Sequence, residues 1–196
     1  MLSLIALSLA AEPSVGLSLA GEAALGKALN DRFRATSLGG QLQASVPVLG
    51  AIEGRVTFGY RNLSGTRLPD EYLWYAPIDL TVALSLPVGK GAFFVHAGPS
   101  LVVWGSTPSE GDTETGNAGG NWGAVAELGV RIPTRLYQAP LYDTSPLLQG
   151  IDVVVSGGGR WSDVHDDAFA AGHGCGDDCG LDFSAIRLNA GLAARF

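Results

Sequence analysis

The chain is poor in charged residues and contains no long apolar run. Only 16% of its 196 residues are charged, whereas 46% are hydrophobic, and the mean hydropathy is +0.23. This balance is typical of a membrane protein, but no segment reaches the roughly 18–20 apolar residues of a spanning helix. Because lipid offers no water to unpaired backbone groups, a closed β-barrel is the remaining way to span a membrane.

Basic residues are also scarce. Twelve Lys and Arg stand against 19 Asp and Glu, for a formal net charge of −7, and the only lysines are Lys27 and Lys90. The absence of a basic run argues against nucleic-acid binding. The 28 glycines and 10 prolines argue against long helices and favour frequent turns.

The N-terminal segment 1–11 (MLSLIALSLAA) is the longest helical candidate, and it is too short to span. Its apolar core followed by small residues at Ala10 and Ala11 is typical of a secretory signal and its cleavage site. We therefore predict a signal peptide over 1–11 and a barrel over 12–196. The basic start of a signal is missing, which leaves open a start further upstream, and a short buried first strand is the alternative.

Strict alternation of apolar and polar residues runs from end to end of the remaining chain. It defines eight segments, at about 15–20, 41–48, 52–61, 78–86, 93–103, 122–132, 151–156 and 186–196. Period-two alternation is the signature of strands with one apolar face, and the segments suit tilted transmembrane strands. The sequence thus predicts an all-β fold, an eight-stranded antiparallel up-and-down transmembrane barrel.

The connections between these segments alternate in length. Connections one, three, five and seven are long and polar, at about 25–38, 62–72, 105–121 and 162–180. Connections two and four, Leu49–Gly50 and Val88–Gly91, are tight, but the sixth, at about 133–148, is long. Long loops on one side and short turns on the other are typical of outer-membrane barrels, with the long loops outside.

Aromatic residues mark one level of the predicted barrel. The four tryptophans fall beside the long connections, and all but Trp104 lie on the apolar parity of their strands. Amphipathic rings at one level are expected of an interfacial girdle. The predicted girdle comprises Tyr60, Trp74, Trp104, Trp122 and Trp161.

The last strand carries the most specific local pattern. Residues 189–196 (NAGLAARF) place a polar residue at Asn189, glycine at Gly191 and an aromatic end at Phe196. This resembles the assembly signal of bacterial outer-membrane proteins, and the whole pattern is similar to the small barrels of the OmpA/OmpX/OmpW-like group. The resemblance implies a Gram-negative outer-membrane location, recognition of Gly191 and Phe196 by the barrel-assembly machinery, and contact with outer-membrane lipid and lipopolysaccharide. We expect a monomer without cofactor or nucleic-acid partner.

If the apolar parity meets lipid, the opposite parity places charged residues in the lumen. Five acids, six arginines and one histidine share that parity: Glu22, Glu53, Arg55, Arg61, Asp79, His96, Glu127, Arg131, Asp152, Arg160, Arg187 and Arg195. Charges in a low-dielectric interior must be paired. This near-balanced set in a narrow barrel predicts a cross-linked, filled lumen, with a narrow gated or ligand-sized lumen as the alternative.

The long loops contain two further groups with possible chemistry. Cys175 and Cys179, four residues apart in an exported protein, predict a disulfide, although they could bind zinc together with His173. The carboxylates of Glu110, Asp112 and Glu114 could hold divalent cations that bridge lipopolysaccharide. Plain solvation of an external face is the alternative for these acids, and no metal site is predicted.

The sequence favours a non-enzymatic barrel with a structural or surface-interaction role and acidic outer loops. His96 and Ser100 share a parity, but the spacing HAGPS does not match that of outer-membrane hydrolases, and a satisfied interior histidine is the favoured interpretation. Two alternatives remain. One is a porin-like or lateral-opening transporter of small or apolar solutes, and the other is a soluble lipocalin-like carrier with its apolar face inward.

Overall fold

The protein is described from a computed structural model that covers residues 12–26, 29–30, 33–66, 72–107, 118–138, 147–162 and 181–196. Its eight strands are β1 (Ser14–Ala24), β2 (Thr36–Leu49), β3 (Ile52–Ser64), β4 (Tyr72–Val88), β5 (Gly91–Thr107), β6 (Ala118–Gln138), β7 (Gly150–Ser162) and β8 (Ala185–Arg195). Each pairs antiparallel with its sequence neighbours, and β1 pairs with β8 to close the barrel. The predicted eight-stranded up-and-down barrel is confirmed. Within the described ranges no helix is long and apolar enough to cross a membrane.

Side chains alternate between the two faces of the barrel wall as the sequence pattern predicts. On β8, Leu188 is 69% exposed on the outer face, whereas its neighbour Arg187 is 1% exposed in the lumen. On β1, Leu17 and Leu19 likewise point outward while Glu22 is buried. Because successive residues of a strand face opposite sides, the apolar parity covers the outside and the polar parity fills the inside.

The two ends of the barrel differ. At the end that we call the turn end, β2–β3 and β4–β5 are joined by tight turns in which Gly50 and Gly89 have φ of 55° and 61°, a region that favours glycine. Both termini of the described chain lie here, where the Phe196 N–H donates to the Pro13 carbonyl at 2.9 Å. The opposite end, from which the four long connections emerge, is the loop end.

The sixth connection is shorter than the sequence predicted. β6 continues to Gln138 through a register shift after Pro133. Pro133 still pairs with Asp152, and the Thr134 hydroxyl donates to the Ile151 carbonyl at 2.6 Å. The prediction of a loop from about residue 133 is therefore wrong at its start. Proline and an irregular register remove the apolar–polar alternation by which this part of the strand could have been recognised.

Two prolines interrupt the ladders on either side of β4. The β3–β4 register passes from Phe58↔Ile78 to Arg61↔Tyr75, skipping Pro77. The β4–β5 register passes from Asp79↔Ser100 to Val82↔Ala97, skipping Pro99. Proline has no N–H to donate, so both seams of β4 lose pairing in the middle of the wall.

Candidate functional site in the barrel lumen

The structure brings the twelve predicted lumen residues to the inner face. Ten of them are at most 5% exposed, and the other two, Arg131 and Arg195, lie nearer solvent at the turn end. Charged side chains are rarely this buried unless they are paired, so the geometry of their pairing decides what the lumen can do.

Arg187 connects three carboxylates near the middle of the lumen. Its Nη1 lies 2.8 Å from an oxygen of Asp79, and its Nε lies 3.2 Å from Glu22 and 3.3 Å from Glu127. Its Nη2 donates to the Gln41 side-chain carbonyl at 3.0 Å. One guanidinium therefore joins residues of β1, β2, β4 and β6 to β8.

Glu22 is the second centre of the same network. It lies 2.7 Å from Nη2 of Arg160 and 3.5 Å from Nη2 of Arg61, and it accepts a hydrogen bond from the Tyr75 hydroxyl at 2.8 Å. We call Glu22, Asp79, Glu127, Arg61, Arg160 and Arg187 the central ion cluster. Its three carboxylates and three guanidinium groups balance, which is the condition under which buried charges are tolerated.

Two further polar residues, His96 and Ser100, contact carboxylates of the central ion cluster. His96 Nε2 lies 3.3 Å from Glu127. The Ser100 hydroxyl donates to Asp79 at 2.6 Å. These two side chains are thus engaged with different carboxylates.

A second set of ion pairs lies toward the turn end. Glu53 accepts from the Ser85 hydroxyl at 2.8 Å and from Arg131 at 3.3 Å. Arg195 joins Asp152 at 3.1 Å to Glu12 at 2.9 Å.

Phe94 contacts two of the predicted lumen residues, Arg55 and His96. Its ring centroid is 4.6 Å from the guanidinium carbon of Arg55, and its ring stacks on His96 with centroids 5.9 Å apart. A Cβ on Gly129 would lie 2.6 Å from this ring, so the glycine provides the space into which Phe94 extends. Arg55 and His96 thus both pack against the same aromatic ring.

The loop end of the lumen is apolar, which sequence reasoning missed. A buried cluster there consists of Leu29, Phe33, Leu63, Leu73, Tyr75, Val102, Trp104, Leu181 and Phe183. The segment before β8 is fastened by its backbone, since the Leu181 carbonyl accepts from Asn121 at 3.0 Å and the Phe183 carbonyl accepts from Arg160 at 3.3 Å. We call this set the apolar cap. Apolar residues on the inward parity next to the long connections were the signal that could have revealed it.

The residues of the predicted aromatic girdle lie in different environments. Tyr60, Trp122 and Trp161 are 49%, 65% and 56% exposed on the outer face, and Trp74 lies half-buried against Gly105. Trp104 is wrongly placed by that prediction, because it is fully buried in the apolar cap and its Nε1 donates to Asn121 at 3.0 Å. The inward parity of Trp104 on β5 places its ring in the lumen, although its level along the barrel is that of the girdle.

The terminal-strand residues occupy different environments. Asn189 points inward and donates to Glu127 at 2.9 Å. A side chain at Gly191 would lie 2.2 Å from the Leu17 carbonyl oxygen, and Phe196 is 39% exposed at the turn end. Close packing of β8 against β1 is sufficient to explain why residue 191 is a glycine.

The loop residues singled out in the sequence lie outside the described residues. These are Cys175 and Cys179 of the predicted disulfide, His173, and the acids Glu110, Asp112 and Glu114. Within the described ranges, no group of three or more His, Cys, Asp or Glu side chains is arranged to hold a metal ion.

A closed eight-stranded antiparallel barrel with an apolar outside and a charged, cross-linked inside is the architecture of the small outer-membrane β-barrels. Solved structures of that class match the fold. The chain is similar to Neisserial surface protein A, with a TM-score of 0.57, 12% identity, and 94% of this chain and 97% of that chain covered. It is similar to the outer membrane protein OprG from Pseudomonas aeruginosa, with a TM-score of 0.58, 8% identity, and 95% and 96% covered.

A third similar structure is Ail, the attachment invasion locus protein of Yersinia pestis, with a TM-score of 0.50, 10% identity, and 94% and 97% covered. No protein-family model matches the sequence, and no curated protein matches it. The resemblance to small outer-membrane barrels that the sequence indicated is therefore confirmed at the level of the fold.

Proposed function

We propose that this protein is a non-enzymatic integral outer-membrane barrel with a closed lumen, acting as a rigid scaffold that displays its long loops at the cell surface. In this orientation the loop end faces outward and the turn end faces the periplasm. The apolar outer face supports placement in lipid, where outward-pointing leucines such as Leu17 and Leu188 would be buried. A soluble lipocalin-like carrier needs the opposite arrangement, with its apolar face inside.

The observation that carries the proposal is that the lumen is blocked at two levels. All eight strands contribute to the central level, because Gln41 of β2 and His96 of β5 join the six members of the central ion cluster. The apolar cap closes the loop end above it. A path for ions would require breaking several buried ion pairs, which supports a structural lumen.

A conductance measurement tests the closed lumen. Purified, refolded protein in planar bilayers is expected to show no steady single-channel conductance, because the central ion cluster and the apolar cap fill the barrel. The variant Glu22→Ala with Arg160→Ala removes a pair joined at 2.7 Å and should leak more than wild type. Stable, voltage-independent current steps from the wild-type protein would contradict the proposal.

The non-enzymatic assignment is supported by the state of the His96–Ser100 pair that the sequence singled out. His96 is engaged with Glu127 and Ser100 donates to Asp79, so the serine is not activated by the histidine in the way that nucleophilic catalysis requires. We therefore assign binding to the outer loops, since rigid scaffolds commonly present binding residues on loops. The name of Ail, an attachment invasion locus protein, suggests surface interaction as such a role.

We further propose that outer-membrane lipid, lipopolysaccharide and the barrel-assembly machinery are partners of this monomeric barrel. Deleting Phe196 tests the last of these. The ring is 39% exposed and contributes at most about 1.5–3 kcal/mol by burial. Deletion should therefore reduce the folded barrel in outer-membrane fractions much more than it destabilises barrel refolded in detergent.

The readout is heat-modifiable electrophoretic mobility of outer-membrane fractions, with Phe196→Tyr as the control that keeps an aromatic end. Equal amounts of folded barrel from wild type and the deletion would rule out an assembly role for this residue.

Lateral transport of an apolar solute is the second candidate, favoured by the interrupted seams at Pro77 and Pro99. If either seam opened, Pro77→Ala with Pro99→Ala would restore two donors and slow uptake of an apolar solute by intact cells. The structural proposal expects uptake to be the same with and without these substitutions.

A further inference from the structure

The lumen contains a cavity that neither the central ion cluster nor the apolar cap explains. It lies at the turn end, has a volume of about 200 Å³, and is lined by six charged side chains: Glu12, Glu53, Lys90, Arg131, Asp152 and Arg195. We call it the turn-end vestibule. Its volume is below the roughly 300–1,000 Å³ of pockets for drug-sized ligands, so only a small molecule would fit.

The carboxylates of the vestibule are already engaged. Glu53 accepts from Ser85 through one oxygen and from Arg131 through the other. Asp152 accepts from Arg195 at 3.1 Å, and Glu12 accepts from the same guanidinium at 2.9 Å. Each of the three carboxylates thus already faces a cationic side chain.

The cations of the vestibule are not fully engaged. Arg131 Nε is buried without a hydrogen-bond acceptor and lies 3.9 Å from a carboxylate oxygen of Asp152. Within the described part of the chain, Lys90 forms no ion pair and extends from the β4–β5 turn to the cavity. Arg131 therefore keeps an N–H group without a hydrogen-bond acceptor, and the Lys90 ammonium has no carboxylate partner among the described residues.

Arg55 adds positive charge behind the vestibule. It occupies the next inward-facing position of β3 after Glu53 and is 3% exposed. Its Nε and Nη2 lack hydrogen bonds, and its nearest carboxylate is 3.7 Å away on Glu53, which Arg131 already shares. Four cationic side chains thus face three carboxylates here, a surplus of one positive charge in a partly buried site.

We propose that the turn-end vestibule is a binding site for a small anion carrying a carboxylate or phosphate group, held by Arg131 and Lys90. Ionised acceptors form the stronger hydrogen bonds with guanidinium and ammonium groups, and burial weakens competition from water. In the membrane orientation proposed above, the ligand would enter from the periplasm. The binding itself does not depend on that orientation or on the lumen being closed to ions.

The test is a calorimetric titration of folded barrel, in uncharged detergent at low ionic strength, with inorganic phosphate in one arm and succinate in the other. Saturable binding is expected in at least one arm, and the two arms show which anion chemistry the site prefers. Arg131→Gln and Lys90→Gln should each weaken the affinity by about tenfold or more, the effect of losing one charge-assisted hydrogen bond.

Arg135→Gln is the matched control, because Arg135 is an exposed residue of the same strand as Arg131 and does not line the cavity. It removes the same charge and should leave the affinity unchanged. Heat-modifiable mobility checks that each variant is folded, and if Arg131→Gln does not fold, the exposed Lys90→Gln variant decides. Absence of saturable binding in both arms, or equal losses in Lys90→Gln and Arg135→Gln, would overturn the proposal.

Discussion

Arg187→Leu is expected to destabilise the folded barrel by about 3–5 kcal/mol, the cost of removing one partner from a buried ion pair. The guanidinium is 1% exposed and contacts Glu22, Asp79 and Glu127. Its loss leaves three carboxylates of the central ion cluster facing two arginines. The carboxylates can neither reach water nor move apart, since each is fixed to a different strand.

The measurement is a urea titration of the barrel in lipid vesicles, which gives the free energy of unfolding. Arg187→Lys is the matched control, because it keeps the charge but loses the planar donor geometry that reaches several acceptors at once. It should destabilise less than leucine does. A free energy of unfolding for Arg187→Leu within about 1 kcal/mol of wild type, less than a lost buried partner should cost, would show that the central ion cluster is not strongly coupled.

Leu188→Arg, one residue further along β8, is expected to destabilise the barrel in bilayers for the opposite reason. Leu188 is 69% exposed on the outer face, so the substitution places a charge in lipid. Such a change costs about 2–4 kcal/mol at the midplane and less near the interfaces. Because Leu188 lies between the middle of β8 and its loop end, a cost below the upper end of that range is expected.

The same titration measures this variant, and Leu188→Met serves as the control because it conserves apolar character and approximate volume. Together the adjacent positions 187 and 188 test which parity faces lipid. If Leu188→Arg left the free energy of unfolding in bilayers unchanged, the outer face of β8 would not be in contact with hydrocarbon.

The alternation of the sequence determined the strands and the face on which each side chain lies. Leu188 points outward and Arg187 inward because consecutive strand residues must face opposite sides, and a slip of one residue would place every leucine in the lumen. The short turns at Leu49–Gly50 and Val88–Gly91 and the scarcity of charge were enough to predict a closed barrel. Because strand side chains alternate between the two faces, the inward parity of the twelve charged residues could be predicted without a structure.

The pairing of those residues was decided only by the tertiary structure. Glu22 and Arg160 are 138 positions apart in sequence, yet they meet at 2.7 Å, because closure of the barrel and the stagger of its strands bring β1 and β7 to one level. No local pattern encodes that level. The same geometry divides the charges into the central ion cluster and the turn-end vestibule.

The side-chain directions of residues in irregular backbone likewise could not be predicted from the sequence pattern. The apolar cap depends on Leu29, Phe33, Leu181 and Phe183, which lie outside the regular strands and have no fixed parity from which a direction could be inferred. Trp104 was assigned to the girdle by its level, but its parity placed it in that cap. A period of two reports the face of a strand residue, whereas its height and its neighbours across the lumen depend on how the whole barrel closes.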